Sequence, residues 1–315
     1  MREKDRRMLY FIAFAALFLV ALISWDRLKT AFFSPDGIML RALPSGDSSE
    51  EGETEHGDTI QFDALQIDSD VDEDILIELL DTVNNSEISL SGEEPRILIY
   101  HTHTTEAYLP TSGAAYQETS EWRTADQSNN IVAVGDELAR ILTEEYGISV
   151  IHDTTNHEPP KLGTSYERSL ETMEYYKEKY PSITLFIDIH RDAYELSSGS
   201  SLSDYAAVND VAVVDGKSCA RIMFVVGTGE GKTGQGFSVK PDYKTNYAIA
   251  LELTNYLNAI NSSLTRPIRV KTGRYNQHVG DCMLVEVGHN ANTLEEAKNA
   301  IPYLAAAIAS LGGSD

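Results

Sequence analysis

The sequence is short of cysteine and of basic residues. Only two cysteines, Cys219 and Cys282, occur in 315 residues. That is too few for the multi-bridge framework of a small secreted domain, and the spacing is not that of a cysteine zinc site. Each lies in an apolar, strand-like run, which reads as a buried free thiol, with a single disulfide as the alternative. Lys and Arg total 25 against 49 Asp and Glu, for a formal net charge of −24. The overall sign disfavours binding to a phosphate backbone, which attracts clusters of Lys and Arg, and nucleic acid is not expected as a partner. The shortage is sharpest in residues 47–94, which carry seventeen acidic residues and no Lys or Arg. No internal repeat is present.

One long apolar run is present. Residues 8–25, MLYFIAFAALFLVALISW, contain no charge and match the length needed to cross a bilayer core. Arg2, Lys4, Arg6 and Arg7 precede the run and Arg27 and Lys29 follow it, which favours a cytoplasmic N-terminus (residues 1–7) and an exported remainder. An uncleaved anchor is expected; a cleaved signal peptide is the competing reading, but no small-x-small site precedes Trp25. Residues 26–94, acidic and rich in Ser and Gly at their start, read as an extracytoplasmic tether too polar to offset its own ordering entropy. Within them DILIELL (74–80) is either a short helix docked on the following domain or a transient one.

Residues 95–315 alternate short apolar runs with helical stripes. RILIY (96–100), ISVIH (148–152), ITLFIDI (183–189), ARIMFVVG (220–227) and CMLVEVG (282–288) predict strands. Ile131, Val134, Leu138, Ile141 and Leu142 share one helical face; so do Tyr166, Leu170, Met173 and Tyr180, and Ala250, Leu253, Leu257 and Ile260. Thr293 and Glu296 form a capping box before a last helix with the stripe Leu294, Ala297, Ile301, Leu304 and Ile308. Continuous apolar strands need cover on both faces, so the expected fold is a three-layer α/β sandwich with a mainly parallel central sheet flanked by helices.

In such sheets ligands sit beyond the carboxyl ends of strands. His101 and His103 lie where the first predicted strand ends; two residues apart on an extended chain, they face one site together, or one supports the other. The third strand ends in Asp188, His190 and Asp192 on one side of the pleat, with Arg191 on the other. Imidazoles flanked by carboxylates suit zinc, the carboxylates serving as ligands or as partners that fix the ring tautomer. In the last strand Glu286 stands among apolar neighbours, where burial raises a carboxyl pKa toward the range of a general base. A hydrogen-bonded histidine pair at a strand end and a solvent-facing Glu are the plainer readings of each motif taken alone.

Together, YHTHTTEAY, NNIVAVGDELARIL, DIHRDA, YNQH and LVEVGHNANTLEEA, in this order behind an apolar N-terminal run, resemble the stage II sporulation protein P family, a branch of the zinc-dependent N-acetylmuramoyl-L-alanine amidases. The resemblance spans residues 96–311. It implies a membrane-anchored peptidoglycan hydrolase acting in engulfment, with amidase and endopeptidase activity, zinc as cofactor, and stage II sporulation proteins D and M as partners. Carried over residue by residue, the ligands are His103, His190 and a carboxylate four residues before the Asn that opens the first helix. Counting back from Asn130 gives Asp126, where the family has Glu; Glu106, Glu118 and Glu121 are the alternatives. Glu286 takes the place of the catalytic Glu, and Arg191 and Tyr275 are candidate oxyanion donors. A wall-binding or scaffolding module without turnover is the rival reading.

Two motifs are set aside. GTGEGKTGQG (227–236) resembles a phosphate loop, but the position five residues before Gly231 is Val226, where a Walker loop needs Gly. It is read as a glycine-rich loop beside the substrate. YNQH (275–278) is read as polar lining of the site, with a turn between strands as the alternative. His152 and His289 are expected to be structural.

Overall fold

The computed structural model describes residues 59–62, 65–80, 82, 86, 88–110, 116–120, 122–193, 210–232 and 238–312. The run 8–25 lies outside them, and among the described residues no helix is long and apolar enough to cross a membrane.

Eight strands form one sheet: β1 (Thr59–Phe62), β2 (Leu65–Ser69), β3 (Ile97–Tyr100), β4 (Val150–His152), β5 (Leu185–Asp192), β8 (Ile222–Gly227), β9 (Ile268–Lys271) and β10 (Cys282–His289). Their order is β1-β2-β9-β8-β10-β5-β3-β4, and a separate hairpin pairs β6 (Val211–Val214) with β7 (Lys217–Ala220). All neighbours in the large sheet run parallel except β1 with β2 and β8 with β10. Among the described residues five helices accompany it: α1 (Glu73–Leu80), α2 (Val132–Glu144), α3 (Ser165–Lys179), α4 (Tyr243–Ile260) and α5 (Leu294–Ser310).

Strand parity divides the core between the two faces. Ile97, Ile99, Leu185, Ile187, Ile189, Phe224, Val226, Val285 and Val287 point to one face and pack with Leu138 of α2, Leu253 of α4 and Ile301 of α5. Leu98, Tyr100, Phe186 and Cys282 point to the other and pack with Met173 of α3. This is the helix–sheet–helix sandwich with a mainly parallel sheet that unbroken apolar strands require. The capping box of α5 forms as its sequence predicts: the Thr293 hydroxyl accepts from Glu296 N–H at 3.2 Å, and the Glu296 carboxylate accepts from Thr293 N–H at 2.9 Å. Both cysteines are free and buried.

The acidic segment differs from the expected tether. From Thr59 onward it belongs to the domain: β2 pairs in parallel with β9, and α1 buries Ile75, Leu76 and Leu79, so 74–80 is a docked helix. The reason is local. Charge dominates the composition of residues 47–94, but Ile75, Leu76 and Leu79 of α1 are spaced to reach the core from one face, and backbone pairing to β9 satisfies groups that a bare sheet edge leaves open.

Candidate functional site

The parallel pairing of β10 with β5 sets Leu284 beside Asp188 and Glu286 beside His190. All four are on the α3 face, because their parity matches that of Phe186 and Cys282. Beyond Tyr100 the chain leaves the sheet in a turn, where Glu106 N–H donates to the His103 carbonyl at 3.2 Å. That turn separates the two histidines of the HxH motif. His101 keeps the parity of Ile97 and Ile99 and points toward α2, whereas His103 is carried over the α3 face to His190, ring centroids 5.3 Å apart and nearly perpendicular.

His101 is thereby a structural residue. Its Nδ1 donates to the Ile189 carbonyl at 3.0 Å, and its Nε2 lies 2.8 Å from Nε2 of His152, whose Nδ1 meets Asp136 at 2.9 Å. Burial, reinforced by His152, brings the His101 pKa down to about 3, so the ring is neutral. The pair fits because Gly135 faces it: a Cβ there would lie 2.6 Å from His152 Nε2 and 2.7 Å from His101 Nε2. Gly135→Ala is therefore expected to destabilise the fold by roughly 1–3 kcal/mol through overpacking, outweighing the ~1 kcal/mol by which Ala favours a helix. Thermal unfolding checks this; a raised Tm would show that the histidine pair can move aside.

His190 is buried between two carboxylates, with Nδ1 3.5 Å from Glu106 Oε2 and Nε2 2.9 Å from Asp188 Oδ1. The second contact is short but off the N–H axis, and Nε2 has no aligned hydrogen-bond partner. Burial opposes charge on this ring, yet Asp188 and then Glu106 raise its pKa well above the ordinary histidine value. Asp188 is held in turn by Thr102, which donates its N–H at 2.8 Å and its hydroxyl at 2.6 Å. Glu106, 6% exposed, accepts Arg191 N–H at 3.1 Å and lies 3.5 Å from Arg123, which also pairs with Glu158 at 2.5 Å. Although burial opposes it, His190, Arg191 and His103 bring the Glu106 pKa down to about 2.

Glu286 completes the cluster. Burial first, with His190 opposing and Glu106 and Asp192 adding to it, pushes its carboxyl up to about 8, and Oε2 is buried without a hydrogen-bond partner. Tyr275 closes one side: it packs on the apolar group Met223, Val225 and Leu284, with its ring 5.8 Å from that of Tyr166. Tyr166, in the first turn of α3, lies edge-on to His103 at 5.6 Å.

Two predicted site residues are placed elsewhere. Asp126 is exposed, and its carboxylate accepts from Ser128 N–H and Oγ and from Asn129 Nδ2 within its own turn. The carboxylate brought to the imidazoles is Glu106, one of the alternatives; Glu118 is exposed and Glu121 lies outside the described residues. Arg191 is buried with its donors spent on main-chain carbonyls, Nε on Ala107 and Nη2 on Trp122, both at 2.7 Å. It ties two loops together through bonds from Nε, Nη1 and Nη2 to main-chain carbonyls. In YNQH only Tyr275 faces the cluster: Asn276 and Gln277 are buried, donating to the Tyr166 and Val225 carbonyls, so the motif is a structural turn. Tyr166 escaped sequence reasoning because it shares the stripe of Leu170 and Met173 and reads as core.

The donor set suits zinc: two imidazoles, a carboxylate, and buried polar atoms with no hydrogen-bond partner at His103 Nδ1 and Glu286 Oε2. The ring spacing is compatible with one shared ion at metal–nitrogen distances of about 2.0–2.1 Å. Asp188 and Glu106 beside His190 make a place that favours positive charge, which the raised His190 pKa reports. Among the described residues no three His, Cys, Asp or Glu side chains already meet closely enough to hold an ion.

A family model described as Stage II sporulation protein P (SpoIIP) matches residues 42–309. The Stage II sporulation protein P of Bacillus subtilis (strain 168) is 31% identical over 222 residues, 67% of this chain and 49% of the relative, so the match spans about half the length of that relative. Two solved structures are also similar. The apo N-acetylmuramyl-L-alanine amidase Ami1 of Mycobacterium abscessus is 11% identical with a TM-score of 0.36, covering 69% of this chain and 98% of its own. The apo cell shape determinant protein Csd4 of Helicobacter pylori is 10% identical with a TM-score of 0.30, covering 68% and 50%. Scores this low carry no argument about fold or activity.

Proposed function

Because the chain belongs to the stage II sporulation protein P family, we propose that it is a zinc-dependent peptidoglycan hydrolase of sporulation that cleaves the amide between N-acetylmuramic acid and L-alanine. Peptide cross-links are a second substrate of the same site, stage II sporulation proteins D and M are its partners, and residues 8–25 anchor it. The observation that carries this reading is Glu286: a half-buried carboxylate in register with His190, with a buried, unpartnered oxygen and a pKa pushed to about 8.

His103, His190 and Glu106 would hold the ion. Zinc bound there supplies Lewis acidity toward water and the scissile carbonyl. Asp188, fixed by two bonds from Thr102, orients the His190 ring, and Arg123 restrains Glu106; such supporting contacts set ligand geometry and basicity. Glu286 takes the proton of the attacking water as the new C–O bond forms. It returns that proton to the departing nitrogen as the C–N bond breaks, which is the dual role a carboxyl with a raised pKa can perform.

The test is purified protein incubated with sacculi. Soluble stem peptides with a free L-alanine amino group are expected, lost on chelation and restored by zinc. Release undiminished by chelator contradicts the metal. Absence of release under every condition leaves the non-catalytic wall-binding reading.

A further inference from the structure

Amide hydrolysis needs a donor for the oxygen that gains charge as the tetrahedral intermediate forms. The two cations nearest the cluster are engaged elsewhere. Arg191 gives its donors to the carbonyls of Ala107, Trp122 and Asp192, and Arg123 is engaged by Glu158 and Glu106. Two tyrosines remain. Among the described residues neither the Tyr166 nor the Tyr275 hydroxyl makes a hydrogen bond, and each ring is half-buried.

We propose that Tyr166 is a catalytic residue, its hydroxyl donating to the carbonyl oxygen of the scissile amide as that oxygen becomes negative. The assignment rests on the hydrolase reading of the same site. Its geometry comes from the start of α3: the ring stands edge-on to His103 at 5.6 Å and to Tyr275 at 5.8 Å, between the imidazole and the wall formed by Tyr275. The main chain of Tyr166 is pinned as well, since its carbonyl accepts from Asn276 Nδ2 at 2.8 Å, and the same amide donates to Ser169 Oγ at 3.0 Å. The buried turn that carries Tyr275 thus fixes the helix end that carries Tyr166.

Tyr275 fits against the apolar group Met223, Val225 and Leu284 because two neighbouring positions are glycine. A Cβ on Gly273 would come within 2.5 Å of its ring, and one on Gly227 within 2.8 Å. A phenol keeps its proton at neutral pH, so the Tyr166 hydroxyl acts as a donor. Position separates the two phenols: Tyr166 stands edge-on to His103, whereas Tyr275 packs on Met223, Val225 and Leu284. Tyr166 keeps its proton throughout the reaction, in which the C–O bond forms, the C–N bond breaks and the transferred proton passes through Glu286.

Tyr166→Phe retains the ring and its contacts with His103 and Tyr275 while removing the donor. In the full chain, assayed on soluble glycan–peptide fragments beside wild type and Tyr275→Phe, it is expected to lose about 10²–10³-fold in kcat with KM, zinc content and Tm unchanged. Tyr275→Phe is expected to lose less. A kcat equal to wild type in Tyr166→Phe overturns the assignment, as does a loss shared with KM, zinc content or Tm, which indicates packing. A loss confined to Tyr275→Phe transfers the role to that residue. Wild type without activity overturns the hydrolase reading and this assignment with it; active wild type beside equally active Tyr166→Phe overturns the assignment alone.

Discussion

Glu286→Gln is expected to reduce release of stem peptides from sacculi by about 10²–10⁴-fold, the range attributable to a positioned general base, while zinc binding is retained. Gln preserves the shape and removes the ability to take a proton. The same variant has a stability signature in the metal-free protein. The folded-state pKa of Glu286 is about 8 against an ordinary 4.5. The native state therefore holds a proton that the unfolded chain releases, so this contribution is fully present below pH 4.5 and is lost as pH rises toward 8. Neutral Gln has no such dependence. Glu286→Gln is therefore expected to gain stability over wild type across this window by at most about 1.4 kcal/mol per pH unit, measured by denaturant unfolding from pH 5 to pH 8. A Glu286→Gln protein that digests sacculi at the wild-type rate removes Glu286 from the chemistry. A stability difference that is flat with pH removes its perturbed titration.

The second large effect separates Glu106 from Asp126. Glu106→Gln is expected to weaken zinc binding by more than the roughly 10–100-fold that supporting residues around a metal contribute, and to abolish activity with it. Asp126→Asn is expected to bind zinc as wild type does and to stay within about 0.5 kcal/mol in stability, as substitutions on an exposed surface usually do. Isothermal titration with zinc on both variants decides between them. Loss of zinc in Asp126→Asn with binding intact in Glu106→Gln would restore the carboxylate reached by counting back from Asn130.

The contrast between these two residues shows where sequence reasoning held and where it stopped. His190 and Glu286 are legible because both ride on strands, where a period of two fixes which side chains share a face. Once β5 and β10 are recognised, only their register is needed to set the two side by side. His103 and Glu106 come after a strand, in a turn whose path the pattern does not encode. Extrapolating strand parity through that turn paired His101 with His103, but the chain sends them to opposite faces. Asp126 was reached by a fixed offset from a helix start; in this chain that offset ends in a surface turn closed by Ser128 and Asn129. Arg191 was placed correctly on the pleat opposite His190, yet its role depends on the carbonyls of Ala107 and Trp122, which only the folded loops bring to it.

The sheet follows the same division. Apolar runs such as ILIY and CMLVEV announce central strands, and the capping box announces α5. β9 (IRVK) and β7 (KSCA) are four residues each, too short and too polar to stand out from a loop. β1 and β2 were concealed by the charge of the segment around them, although β2 continues the sheet beyond β9.

Crystals of the protein grown with zinc, measured on either side of the zinc absorption edge, test the central claim most directly. The account predicts a single strong anomalous peak bounded by His103, His190 and Glu106, with the Glu286 carboxylate facing it. A map without density between those side chains, or with its peak at Asp126, would contradict it.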